Sequence, residues 1–183
     1  MKDYFKIGPV STFDRENSVD SSFVVLQKID RIPPHLGMII NGYYADINIK
    51  GSTINLPAME YMRTLKLKHI PAILIEISLQ KNQIDFSEIC LTLEKVETDK
   101  TCLTPIKSYF ETYFNESLHH INYIFDLIPF LEKKNLIKNI YGINTDELVV
   151  DNYFYLKKYS LDTINNCINK LTLKNAGKSK INI

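Results

Sequence analysis

The sequence predicts an α+β fold: a small antiparallel sheet with helices packed on it, strands coming mostly before helices. Three observations carry that reading. A β-hairpin is written around Asn41-Gly42, between residues 35 and 49. The run IPAILIEIS (70–78) is continuously apolar and of strand length. From FSEICLTLEKVE (86–97) onward, apolar residues recur at helical spacing.

In chain order, SSFVVLQKI (21–29) is rich in β-branched residues and reads as a strand, followed by the hairpin. LPAMEYMRTLK (56–66) reads as a helix with Pro57 near its start, where a missing N–H costs nothing. The 70–78 run suits a strand covered on both faces. TPIKSYFETYF (104–114) reads as a helix capped by Thr104, with Pro105 at the first helical position. LHHINYIFDLIPFLEKKNLI (118–137) reads as a long apolar helix that Pro129 kinks or splits. Residues 137–143 and 152–160 are expected to pair as a second hairpin, and Ser160 to cap a helix over 161–171.

The chain has 183 residues, 45% hydrophobic and 23% charged, which suits one domain over residues 1–171 followed by a flexible basic tail at 172–183. A net charge of +1 supplies no field to recruit nucleic acid or an anionic membrane. Lys133, Lys134, Lys138, Lys157 and Lys158 lie in a helix-and-wing-like segment without a basic recognition helix, so no nucleic-acid partner is expected. MKDYFKIGPVSTFDREN has no apolar signal core, so a cytoplasmic location is expected, and no transmembrane segment is found. Cys90, Cys102 and Cys167 are scattered and odd in number, which argues against a disulfide framework or a zinc site.

The hairpin carries the chemistry. A two-residue turn at Asn41-Gly42 sets Ile40 opposite Tyr43, Met38 opposite Ala45, Gly37 opposite Asp46 and His35 opposite Asn48. One face is Leu36, Met38, Ile40, Tyr43, Ala45, Ile47 and Ile49, a core face. The other holds His35, Gly37, Ile39, Tyr44, Asp46 and Asn48. Asp46 is diagonal to His35, and Gly37 adds no side chain between them. An imidazole beside a carboxylate or amide is the base-and-orienter half of a nucleophilic triad. A solvated surface histidine is the alternative.

Cys102, in DKTCLTPIKSYF at a helix start, is the candidate nucleophile, since helix N-terminal amides favour a thiolate and can hold an oxyanion. With Thr104 as cap, Cys102 precedes the helix; with Thr101 as cap, it enters the first turn. Cys90 and Cys167 read as structural. Paired His119-His120 point to different faces, and no metal or cofactor is expected.

A histidine opening the strand HLGMII, a tight turn, a polar residue on the return strand and a later cysteine at a helix start resemble the circularly permuted papain-like fold. Lecithin retinol acyltransferase-like enzymes and permuted NlpC-type amidases share it. The resemblance covers about residues 21–115, leaving 116–171 as a C-terminal extension. It implies Cys102 as nucleophile, His35 as base and Asp46 as orienting residue, with Asn48 as the alternative. A peptide, acyl or amide substrate and a hydrolase or acyltransferase activity are implied. TCLTP departs from the Asn-Cys-acidic motif of many acyltransferase-like members, and Asp46 stands where those members use a second histidine. Two other readings stay open: a protein-interaction module using the apolar 118–131 stretch with Cys102 buried, and a thioester carrier resembling a ubiquitin-conjugating enzyme, with His35 remote.

Overall fold

The computed structural model describes residues 3–13, 21–80, 83–97 and 99–178. Strands β1 (Tyr4–Ile7), β2 (Val10–Thr12), β3 (Ser22–Gln27), β4 (His35–Ile40), β5 (Tyr43–Asn48) and β6 (Gly51–Pro57) come first. Helix α1 (Ala58–Leu67), strand β7 (Ala72–Ile77) and helices α2 (Phe86–Leu93), α3 (Thr104–Phe114) and α4 (Ile124–Lys133) follow. Last come β8 (Ile137–Ile143), β9 (Val149–Val150), β10 (Tyr153–Lys157) and helix α5 (Leu161–Lys178). The fold is α+β, as the sequence predicts.

The sheet is larger than expected. Seven strands run in the order β2-β8-β7-β3-β4-β5-β6, all neighbours antiparallel except the edge pair β2 and β8. A second sheet orders β1-β10-β9. The hairpin expected between 137–143 and 152–160 does not form. β7 is buried along its whole length and needs a partner on each edge, which β3 and β8 supply, while β10 pairs with β1. Part of the expected C-terminal extension is therefore in the main sheet.

Each face of that sheet is covered. Leu36, Met38, Ile40, Ala45 and Ile47 join Ile73, Ile75 and residues of α2, α3 and α4 in the larger core. Phe23, Val25, Ile39, Tyr44 and Leu74 pack against Ala58, Tyr61, Met62 and Leu65 of α1 in the smaller one. The face of the hairpin that carries Tyr44 and Asp46 is thus a second interior, not a solvated surface.

Local signals explain the helix ends. Leu103, not Thr104, is the N-cap of α3, and Pro105 lies in the first turn. α4 begins only at Ile124, because the Asp126 carboxylate accepts the Asn122 and Tyr123 N–H groups at 3.0 Å each and fixes the helix start there. Pro129 sits inside α4 without splitting it. Ser160 caps α5 as expected, its hydroxyl accepting the Thr163 N–H at 3.3 Å. α5 then runs to Lys178, into the stretch expected as a tail.

Most apolar side chains of the 118–131 stretch face the chain's own core. Leu118, Ile121, Ile124, Leu127, Ile128 and Leu131 are all spent on the chain's own core. Among the described residues no helix is long and apolar enough to cross a membrane.

Candidate active site

The hairpin forms with the predicted register, Ile40 pairing with Tyr43, Ile39 with Tyr44 and Met38 with Ala45. Asn41 takes a φ of 51° and Gly42 one of 80°, the positive values a two-residue turn requires. His35 therefore opens β4, and Asp46 lies diagonally across on β5. The two meet: His35 Nε2 and Asp46 Oδ2 are 2.9 Å apart. The Asp46 side chain is 6% exposed and that of His35 22%, so the bond is shielded but the imidazole keeps an open edge.

Asp46 is held from several sides. The Tyr44 hydroxyl donates to the same Oδ2 at 2.5 Å, and Asn48 Nδ2 reaches Oδ1 at 3.4 Å. Thr53, opposite Asp46 on β6, contributes a further side-chain hydrogen bond. Gln27 Nε2 donates in turn to the Tyr44 oxygen at 2.8 Å. Burial alone would raise the Asp46 carboxyl. The hydrogen bond and charge of His35, with the bonds from Tyr44 and Thr53, outweigh it and hold the pKa below the usual 3.8. Asn48 thus supports the carboxylate, while Asp46 is the group bonded to the imidazole.

Gly37 has a different role from the one its position suggests. A Cβ built there would lie 2.6 Å from the Tyr44 oxygen and 2.7 to 2.8 Å from its ring carbons. The space beside His35 and Asp46 is taken by the phenol, which stacks on Tyr61 with ring centroids 3.6 Å apart and planes 8° from parallel. Glycine at 37 is what lets Tyr44 lie flat across β4 and reach Asp46. Buried Tyr61 Oη has no hydrogen-bond partner among the described residues.

Cys102 comes to the same imidazole from the turn before α3. Burial works against the charged form of His35. Hydrogen bonds to Asp46 and to Cys102, with attraction to the same two groups, overcome that penalty and raise its pKa from 6.5 to about 10. Asp46 and Cys102, both expected from the sequence, thus meet at His35.

The turn that presents Cys102 is tied by its own threonines. Thr101 N–H donates to Thr104 Oγ1 at 2.9 Å and Leu103 N–H to Thr101 Oγ1 at 3.3 Å. Thr104 N–H bonds Thr101 O at 3.0 Å. Both threonines act, but neither caps α3 alone, so Cys102 precedes the helix by two residues. Its own N–H makes no hydrogen bond among the described residues, and remains available beside the sulfur.

The cysteine opens on a crevice of about 30 Å³ lined by Pro33, Pro34, Leu36, Ile124, Tyr159 and Ile164 among others. Tyr159 is the residue sequence reasoning missed most completely. Burial first, then the charges of Cys102, Asp126 and Tyr123, raise its phenol above the usual value and keep its O–H proton. Ring contacts with Tyr123 (5.8 Å) and Phe125 (5.4 Å) fix it. A polar tip on an aromatic two residues after β10 is no signal by itself in a chain with 11 tyrosines.

Cys90 is set apart from this centre by its surroundings. Cys90 is wholly buried in α2, and burial together with the Asp46 and Asp85 charges pushes its thiol up to about 12. Cys167 lies on α5. His119 and His120 stand edge to face in an exposed turn before α4.

Set against protein-family models, curated proteins and solved structures, the chain matches none of them.

Proposed function

We propose that this chain is a thiol-dependent hydrolase or acyltransferase that cleaves an amide, ester or thioester bond through Cys102, His35 and Asp46. One observation carries the reading: a single imidazole with a buried carboxylate on Nε2 and a cysteine as its other side-chain partner. The resemblance to permuted papain-like enzymes points the same way, and rests on the same residues.

The steps follow from the geometry. With the thiol proton held on His35, the sulfur attacks the carbonyl carbon. The carbonyl electron pair moves to oxygen, where the Cys102 N–H and the Tyr159 hydroxyl are the donors at hand. The intermediate collapses as the leaving group takes the proton from His35, and an acyl-thioester remains on Cys102. Water, or an acceptor nucleophile, then attacks with His35 taking its proton, and the thiol is regenerated. Asp46 keeps the imidazole in one orientation and balances its charge throughout.

Contact between His35 and Cys102 also weighs against a thioester carrier, which would keep the base remote. The test is labelling by an electrophilic thiol probe, followed by turnover of a panel of amides, esters and thioesters. Probe adduct on Cys102, lost in Cys102→Ala and strongly slowed in His35→Ala, is expected. Equal labelling of wild type and His35→Ala would sink the reading.

A further inference from the structure

The crevice at half-buried Cys102 is narrow. At about 30 Å³ it holds roughly one water-sized group. Pro33 and Pro34 before β4, Leu103 and Ile124 at the starts of two helices, and Tyr159 after β10 are built into the body. One wall is not. Ile164 belongs to α5, which follows β10 through the short Ser160 link.

α5 is held lightly. Ile164 and Ile168 are its only fully buried side chains among those described, each 8% exposed. They belong to a longer stripe at helical spacing, Leu161, Ile164, Ile168 and Leu171. The flanking members are left in solvent, Leu161 at 49% and Leu171 at 42% exposure. The body therefore takes up only the middle of the apolar face that α5 presents, and Ile164 in that middle lines the crevice at Cys102.

We infer that α5 is a displaceable cover beside Cys102: Ile164 narrows the crevice at rest, and lifting the first two turns of α5 widens it enough to admit substrate to the sulfur. The inference rests on the proposed role of Cys102 only for its purpose; the cover itself can be read without turnover. With few of its apolar side chains buried, the open form of α5 is a local excursion, not unfolding of the sheet.

The experiment compares alkylation of Cys102 by small iodoacetamide and by bulky fluorescein maleimide, the adducts assigned by peptide mass spectrometry. Ile164→Ala and Ile168→Ala are each expected to speed the bulky reagent by about tenfold, as a one-decade shift in the open fraction would. The small reagent gains less, and Leu171→Ala, outside the docked turns, changes neither rate. Hydrogen exchange on the unaltered chain guards against misfolded variants: amides of 161–171 should exchange far faster than those of α3. Equal protection of α5 and α3, or bulky labelling indifferent to Ile164 and Ile168, overturns the cover. Failure of even iodoacetamide to reach Cys102 in every variant instead overturns the catalytic reading.

Discussion

His35 Nε2 and the Tyr44 hydroxyl converge on one oxygen, Asp46 Oδ2, at 2.9 and 2.5 Å. A single buried carboxylate atom therefore sets both the angle of the imidazole and the position of a phenol stacked on α1. Orientation of the base is coupled to the packing of the smaller core.

That coupling fixes a pH dependence. The folded His35 pKa, about 10, lies above its ordinary 6.5, so its stabilising contribution is complete below pH 6.5 and is lost as pH rises towards 10. Asp46 is lowered below 3.8, so its contribution is present above that value and is lost on acidification below it. Thermal unfolding followed across pH should show a plateau between about 4 and 6.5 that falls away on both sides. In His35→Gln the alkaline fall should flatten.

Removing the base should cost catalysis more than binding. His35→Ala is expected to lower kcat by about 10²- to 10⁴-fold on any substrate the wild type turns over, with KM little changed. Cys102→Ala should abolish the acyl-enzyme adduct in intact mass spectrometry. Cys90, with its thiol pushed up to about 12, should remain unmodified in the same spectra at neutral pH.

Gly37→Ala should be disproportionately damaging. The added methyl meets the Tyr44 oxygen and ring at 2.6 to 2.8 Å, and the Tyr61 stack blocks retreat. A loss of about 1–3 kcal/mol in denaturant unfolding is expected from overpacking. Imidazole resonances of His35 should shift in the same variant, since Tyr44 cannot move without disturbing Asp46.

Tyr44→Phe keeps the stack and removes the hydroxyl. Gln27, itself buried, then loses its acceptor and Asp46 a donor, at a cost of about 1–3 kcal/mol. Combining it with Gln27→Leu should recover part of that loss, giving a coupling of about 0.5–3 kcal/mol in a double-mutant cycle measured by urea unfolding.

The hairpin was legible because Asn41-Gly42 dictates both turn and register, and register places His35 against Asp46 by arithmetic. β7 was legible for the same kind of reason: a wholly apolar run that only a two-sided burial explains. Partners of strands were not. β1, β2 and β6 are short or half-exposed, carry weak alternation, and exist because neighbours offer free edges. Gly37 illustrates the limit within the site itself, for periodicity shows which face a residue occupies but not which ring crosses it. Tyr159 and Ile164 reach Cys102 from more than fifty residues along the chain, and nothing local in the sequence encodes that meeting.

One pairing bears on how such a molecule is made. β1 joins β10, with Tyr4 opposite Lys157, so β1 must wait during synthesis for the last strand among the described residues to supply its edge. Tyr159 and Ile164, which enclose the sulfur, emerge later still. During synthesis the thiol of Cys102 exists for some fifty residues' worth of elongation before its surroundings do, about 3–10 seconds at ordinary translation rates. The crevice at Cys102 is finished from the C-terminal side, after the sheet's central strands have been laid down.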